Sequence, residues 1–180
     1  FLEEYHFRSS RPTTESPDLF ADLYAYRGWL APGEHPFGDR WASHVVTLQM
    51  NPSVLLNQLT EDVRIAGGRF VIRDFERLDE VLALPEPVVF NCTGLGAGAL
   101  FGDEDIMPAK GQLVFIPPDS AVDYMTIGGG RGNLYMFPRQ DVTLLGGTFK
   151  AGDWSRHPEP DETERIIGEH RKLFADFRMA

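Results

Sequence analysis

The segment 88–115, VVFNCTGLGAGALFGDEDIMPAKGQLVF, has two apolar runs separated by a glycine-rich turn. Gly94, Gly96 and Ala99 fit the loose dinucleotide-binding pattern G-x-G-x-x-A directly after a predicted strand. That fold needs a full crossover helix, whereas the acidic run and Pro108 leave room for about two turns. The spacing argues against a normal Rossmann phosphate loop. Two interpretations stay open: a tight strand-to-helix turn, or a turn that presents backbone amides to a cofactor bound mainly by other segments.

The pattern on the N-terminal side of this turn alternates between strand and helix. Residues 41–50 have strand composition, and Asn51 and Pro52 predict the N-cap and first residue of a helix that ends at Gly67 and Gly68. The apolar positions of this helix are Val54, Leu55, Leu59, Val63 and Ile65. RFVIRDF predicts a strand, ERLDEVLAL a short helix, and VVFN a second strand. This order indicates an α/β architecture.

After Gly111 the apolar residues alternate with a period of two. GQLVFIPP, VDYMTI, NLYMFP and DVTLLGGTF predict an antiparallel meander, in which GGGRG is a connecting turn. PDETERIIGEHRKLFADF predicts an amphipathic helix with a stripe of Ile166, Ile167, Leu173 and Phe174. The first fifty residues read as loops, with one short helix in the patch Leu19–Trp29 and an entry strand at their end. The predicted fold class is therefore α+β or α/β.

Charge and composition exclude several partners. The 180 residues carry a formal net charge of -10, and no cluster of Lys and Arg provides a footprint for nucleic acid or an anionic membrane. No run approaches the roughly 20 apolar residues of a membrane span, so a soluble, cytoplasmic protein is favoured. The five histidines and the acidic run at residues 101–106 lack ligand spacing, and no metal is assigned. The single cysteine, Cys92, is expected to be a small buried apolar residue.

Three ordered segments resemble the D-amino acid oxidase family. VVFNCTGLGAGALFGDEDIMPAKGQLV is similar to that family's NCTG-x-x-AGAL turn followed by P-x-[RK]-GQ. NLYMFPRQDVTLLGGTFKAGDWS is similar to its PYIIP, VTLGGTF and GNW segment, and LLNQLTEDVRIAGGRFVIRDFERLDEV to the helix and strand before NCTG. The resemblance spans about residues 45–157. Glycine oxidases and D-aspartate oxidases share the pattern.

The resemblance implies a domain plan and an activity. Residues 1–50 would be substrate-domain loops and an entry strand, and 51–110 part of an FAD-binding α/β domain. Residues 111–150 would be an antiparallel substrate-binding sheet, and 151–180 a return loop and an amphipathic helix. The family binds FAD and oxidises a D-amino acid to an imino acid by hydride transfer to the flavin, which oxygen reoxidises. A homodimer is left open. The family's N-terminal GxGxxG unit and C-terminal segment are not found in the chain, which implies an internal fragment that is inactive alone.

The resemblance also implies cofactor contacts. Asp74 and Phe75, at the end of FVIRDF, would present backbone groups near the adenine part of FAD. Thr93 and Gly94 would line the FAD as well. A hydroxyl residue and a glycine at the end of a strand suit this role, because they allow close approach and supply a hydrogen-bonding group.

On the substrate side, Tyr135 matches the family tyrosine that helps to hold the substrate carboxylate. Phe137 lies on the same strand face by period two and would continue the wall of the pocket; the alternative is two aromatic residues in a sheet core. Arg131 stands where many relatives carry a second tyrosine, and it either favours an acidic substrate or is simply solvated. No catalytic base is assigned. A related amine oxidase or dehydrogenase acting on glycine or a secondary amine, and a non-catalytic α/β binding domain, are the alternative functions.

Overall fold

The computed structural model describes residues 1–13, 21–175 and 177. They form two compact units: unit 1 comprises Phe1–Asn51, Gly111–Phe149 and Arg156–Ala180, and unit 2 comprises Pro52–Lys110 and Lys150–Ser155. Residues 14–20, which include part of the predicted patch at Leu19, and residues 176 and 178–180 of the predicted C-terminal segment lie outside the described residues.

The secondary structure mixes short strands with four helices among the described residues. The strands are β1 Leu2–Arg8, β2 Tyr26–Leu30, β3 Trp41–Thr47, β4 Ala109–Lys110, β5 Val114–Ile116, β6 Tyr124–Ile127, β7 Tyr135–Pro138, β8 Thr143–Gly146 and β9 Lys150–Ala151. The helices are α1 Pro52–Ile65, α2 Leu78–Leu82, α3 Gly96–Phe101 and α4 Pro160–Phe174, and a 3-10 helix spans Ala21–Leu23.

Unit 1 is built on a seven-stranded sheet in the order β2-β3-β1-β6-β7-β8-β5. All of its pairs are antiparallel except β1 with β6. The chain therefore has a mixed α/β fold with a mostly antiparallel sheet, as the sequence indicated. The predicted meander holds for β6, β7 and β8, but β5 pairs with β8 rather than with β6.

One face of this sheet forms the core of unit 1. Ile166 of α4 is fully buried against Met136 and Leu145 of neighbouring strands. Burying an aliphatic side chain of this size contributes about 1.5–3 kcal/mol. A second cluster surrounds Phe37, which is 1% exposed and packs its ring 5.0 Å from that of Tyr5. Of the predicted apolar stripe of α4, Ile166, Leu173 and Phe174 pack in these two clusters.

The start of α4 is fixed by a side chain from another part of unit 1. Gln112, which is buried, accepts the N–H of Glu159 at 2.8 Å and donates to the carbonyl of Glu159 at 2.9 Å and to the hydroxyl of Thr163 at 2.7 Å. Pro160 then stands at the first helical position, where its missing N–H costs nothing. The amide of Gln112 thus replaces the cap that no side chain of α4 supplies.

In unit 2, α1 begins and ends where the sequence predicts. The N–H of Gly68 bonds to the carbonyl of Val63 at 2.8 Å, and that of Gly67 to Arg64 at 3.0 Å. Gly67 has a φ of 86°, so these two bonds form a Schellman motif. None of the residues of α1 is buried, and its predicted apolar stripe is exposed. The apolar face of α1 is therefore formed, but no described part of unit 2 covers it.

Two predicted strands of unit 2 are wrong in this structure. RFVIRDF and VVFN form no strand, and Ile72 and Phe90 are 102% and 86% exposed. A strand is defined by ladder hydrogen bonds to a neighbour, and no described segment pairs with either run. Apolar, β-branched composition alone was therefore not enough to predict a strand at these two runs.

Two further predictions are corrected. The first fifty residues are not mainly loops, because they contain β1 and β2 as well as the predicted strand β3. Tyr5 and Phe7 supply the alternating buried positions of β1, a signal masked by the charged residues on either side of them. Cys92 is exposed rather than buried, and it directly follows the unpaired VVFN run.

Candidate functional site

The centre of the candidate site is an aromatic ring that lies over a glycine. Tyr135 of β7 and Gly146 of β8 are cross-strand partners. A Cβ atom built on Gly146 would lie 2.0 Å from Cζ and 2.4 Å from Oη of Tyr135. The ring therefore occupies the space that any other residue at position 146 would fill.

Tyr135 and Phe137 share one side of β7, as the period of two predicted. Their ring centroids are 5.3 Å apart, with the planes inclined at 31°. Both side chains are half-buried, whereas the alternating residues Met136 and Pro138 are buried. Met136 packs against Ile166, so the two aromatic rings lie on the sheet face that is not covered by α4.

The phenol of Tyr135 is suited to donating a hydrogen bond to an anion. Desolvation by burial raises its pKa above the ordinary value, so the hydroxyl stays protonated at neutral pH. Within the described part of the chain, no group forms a hydrogen bond with this hydroxyl. The ring is thus packed on Gly146, while its hydroxyl has no hydrogen-bond partner among the described residues.

Arg131 lies in the turn that connects β6 with β7, so the GGGRG run is the connecting turn that the sequence predicted. The turn is closed by a 2.6 Å bond from the N–H of Gly128 to the carbonyl of Leu134. The backbone N–H of Arg131 donates to Glu169 Oε2 at 3.3 Å, while the side chain of Arg131 is exposed. The pKa of Glu169 is lowered by its bond to Lys172 and also by the charge of Arg131. The positive charge of Arg131 thus interacts with the carboxylate of Glu169 on α4.

In unit 2, Thr93 and Gly94 precede the short helix α3. The hydroxyl and the backbone N–H of Thr93 both donate to Oδ1 of Asn91, at 2.7 and 3.1 Å. Gly94 has a φ of 56°, and a Cβ atom at this position would meet nothing within 4 Å. The exposed backbone at Gly94 and the lone pairs of the Thr93 hydroxyl fit the approach of a cofactor. The six residues of α3 are too few for a Rossmann crossover helix, as the spacing predicted.

Asp74 and Phe75 follow the other unpaired apolar run of unit 2. Asp74 is exposed, and Phe75 is half-buried beneath the guanidinium of Arg73, which lies 4.7 Å from the ring centroid. No strand ladder joins this segment to Thr93 within the described ranges. Neither residue is fully buried, which is compatible with the contact with FAD that the resemblance implies.

Gly146 is the site residue that the sequence reasoning missed. Its signal was present in the pair Gly146 and Gly147 at the end of an otherwise apolar strand, since a glycine in a strand marks close approach by another group. The register between β7 and β8, which the sequence does not give, identifies Tyr135 as that group.

Other features of the described residues add no second site. A groove of about 660 Å³ in unit 1 is lined by residues that include Pro118, Asp119, Asp123 and Arg139, and by none of the predicted site residues. In the part of the chain that the structure describes, no group of three or more His, Cys, Asp or Glu side chains is arranged to hold a metal ion. No helix in the described ranges combines the length and apolar character needed to cross a membrane.

The chain is similar to curated proteins that are named as oxidases of D-amino acids. The chain is 30% identical over 142 residues to a D-amino-acid oxidase of Schizosaccharomyces pombe, covering 76% of the chain and 40% of that protein. It is 31% identical over 121 residues to the D-aspartate oxidase of Homo sapiens, covering 67% and 35%. It is 34% identical over 117 residues to a D-amino-acid oxidase of Streptomyces coelicolor, covering 64% and 36%. No family model matches the chain.

The chain belongs to the D-amino acid oxidase family. It spans about a third to two fifths of the length of these curated relatives. The strands that carry Tyr135, Phe137 and Gly146 lie within the segment whose motifs resemble the family.

Proposed function

We propose that the full-length protein is an FAD-dependent oxidase of a D-amino acid. Unit 1 would supply the substrate-binding sheet, and unit 2 would supply part of the FAD-binding domain. The observation that carries this proposal is the phenol of Tyr135, whose ring packs over Gly146 and whose hydroxyl has no partner in the described chain. Membership of the D-amino acid oxidase family supports it.

Tyr135 would hold the substrate through its carboxylate. A phenolic O–H is a strong donor to an ionised oxygen, and its orientation here is set by the ring packing rather than by the ligand. Phe137, 5.3 Å from the Tyr135 ring, would form an apolar wall beside the substrate. Because this donor is already oriented, less conformational entropy is lost when the substrate Cα–H is brought into position.

Arg131 would tune the choice of substrate. Its backbone is held by the bond to Glu169, and its exposed guanidinium is free to turn away from α4. A carboxylate on the substrate side chain would compete with Glu169 for this cation. We therefore include acidic D-amino acids among the candidate substrates, as the similarity to a D-aspartate oxidase also suggests.

Asp74, Phe75, Thr93 and Gly94 would contact FAD. When bound, FAD supplies the two-electron acceptor for oxidation of the amine to an imine, and oxygen reoxidises it. The chain's own part is to hold the cofactor: the backbone of Gly94 is open to a ligand, and Asn91 orients the Thr93 hydroxyl. The protein thus contributes binding and orientation.

The uncovered apolar runs of unit 2 support a larger FAD-binding domain. Residues 70–72 and 88–90 are exposed apolar triplets in segments with strand composition. Large exposed apolar surfaces of this kind mark interfaces. We propose that in the full-length protein both runs are covered within the FAD-binding domain.

Oxygen consumption by the purified full-length protein tests this function. We expect consumption with at least one D-amino acid and none with the L-enantiomer. Consumption only with glycine or a secondary amine would replace the proposed substrate class by that of a related amine oxidase. Bound FAD with no oxygen consumption would favour a dehydrogenase, and a protein without FAD would favour a non-catalytic binding domain.

A further inference from the structure

One side chain of α4 joins the two segments that flank the Tyr135 and Gly146 pair. Nη1 of Arg165 donates to the carbonyl of Arg131 at 2.8 Å, and Nη2 donates to the carbonyl of Gly147 at 2.7 Å. Arg131 stands four residues before Tyr135, and Gly147 directly follows Gly146. A single guanidinium therefore connects the entry to β7 with the exit from β8.

The guanidinium of Arg165 is itself held in place. Its Nε donates to Glu162 Oε2 at 3.0 Å, and its Nη2 donates to Glu162 Oε1 at 2.6 Å. The hydrogen bond with Glu162 raises the pKa of Arg165, and the hydroxyl of Thr148 donates to the same carboxylate. The planar fork of arginine suits this arrangement, because it serves a carboxylate on one edge and carbonyls on the other.

The turn around Arg131 is shaped to receive this guanidinium. Gly132 has a φ of 86°, and a Cβ atom there would lie 2.8 Å from Nη1 of Arg165 and 2.7 Å from the carbonyl oxygen of Gly147. A side chain at this position would separate the turn from β8. The close approach of the turn to β8 therefore depends on the glycine at position 132 as well as on Arg165.

We propose that Arg165 is a positioning residue for substrate binding. By holding the carbonyls of Arg131 and Gly147, it keeps β7 and β8 in the register that sets the Tyr135 ring over Gly146. The guanidinium of Arg165 bonds to Glu162 and to the two carbonyls and makes no hydrogen bond to Tyr135, so it acts through the backbone. This inference rests on the proposed function, because it takes Tyr135 as the group that binds the substrate carboxylate.

The test compares three variants of the full-length protein. Arg165→Met removes the clamp and keeps much of the side-chain length. Arg165→Lys keeps the charge but cannot bond both carbonyls and the carboxylate with one planar fork. Arg171→Met is the matched control, since Arg171 is exposed on the same helix. Amide hydrogen exchange is measured for residues 131–135 and 146–148, and KM and kcat are measured for the D-amino acid that the wild type oxidises.

We expect Arg165→Met to exchange about 10- to 100-fold faster in these two segments. KM should rise by about tenfold with kcat nearly unchanged, because only the orientation of the carboxylate donor is lost. Arg165→Lys should give intermediate values, and it keeps the test decisive where Arg165→Met does not fold. Arg171→Met should resemble the wild type in both measurements.

Two results would overturn the inference. Unchanged exchange in the two segments of Arg165→Met would show that the clamp does not hold them. Faster exchange with an unchanged KM would show that the clamp is structural only. A wild-type protein that oxidises no amino acid is a separate outcome: it rejects the proposed function and, with it, the role of Arg165 in substrate binding.

Discussion

The ring of Tyr135 lies over Gly146, its partner on the adjacent strand, in the space that a side chain at position 146 would need. This packing fixes the direction of the phenol without any hydrogen bond to its hydroxyl among the described residues. Glycine is otherwise a weak strand residue, and an aromatic ring laid across it restores the lost contact. The glycine at the end of β8 thus leaves the space in which the ring of Tyr135, the candidate substrate-binding residue, packs.

Replacing Tyr135 with Phe should weaken substrate binding while leaving the ring packing intact. A hydrogen bond to a charged group is worth about 1.5–3 kcal/mol, which corresponds to about a 10- to 100-fold higher apparent KM. Steady-state kinetics of the full-length protein would measure this, with FAD content recorded in parallel. Tyr26→Phe is the control, since Tyr26 is exposed on β2 and packs near His44 instead. An unchanged KM in Tyr135→Phe would remove Tyr135 from the site.

Replacing Gly146 with Ala should displace the Tyr135 ring. The new Cβ atom would overlap Cζ, so the ring must rotate or the strands must separate, at a cost of about 1–3 kcal/mol in the free energy of unfolding. We expect a lower Tm and a higher KM. Gly168→Ala is the matched control, because a Cβ atom there meets nothing within 4 Å and alanine favours the helix. If the two variants behave alike, the ring does not depend on Gly146.

The ionisation of Tyr135 should make stability depend on alkaline pH. Burial raises its pKa above about 10, the ordinary value for tyrosine, so the folded state holds the phenolic proton more tightly than the unfolded state. The resulting stability is fully present below pH 10 and is lost as the pH rises through the folded pKa. Absorbance at the tyrosinate band, compared between the wild type and Tyr135→Phe, would isolate this titration. A difference titration centred at or below the free value would contradict the burial.

Replacing Thr93 with Val should weaken retention of FAD. The change removes the hydroxyl that Asn91 orients at 2.7 Å, and leaving a polar partner unsatisfied costs about 1–3 kcal/mol. Equilibrium dialysis of the full-length protein would measure the FAD affinity. Thr60→Val serves as the control, because the Thr60 hydroxyl donates within α1 to the carbonyl of Leu56. Equal FAD affinities for the two variants would return Thr93 to a purely structural role.

The sequence predicted those parts of the fold that depend on local signals. α1 and its glycine end, α4 and its buried stripe, and the strands β6, β7 and β8 all follow from hydrophobic periodicity and turn residues. Pairing across distant segments was not accessible in the same way. The place of β5 beside β8, and the parallel pairing of β1 with β6, depend on contacts that no local pattern encodes.

Local sequence patterns likewise predicted only part of the candidate site. The shared face of Tyr135 and Phe137 follows from the period of two, and it is present in the structure. The roles of both residues, and those of Arg131, Asp74, Phe75, Thr93 and Gly94, remain predictions. Gly146 and Arg165 were not singled out, because their importance comes from the strand register and from the packing of α4.

The visible spectrum of the full-length protein tests the central claim most directly. It should be recorded without oxygen, before and after adding neutral and acidic D-amino acids and their L-enantiomers. We predict flavin absorption bands that bleach with at least one D-amino acid and persist with its L-enantiomer. Flavin bands that persist with every D-amino acid, or a protein with no flavin bands at all, would contradict the proposed function.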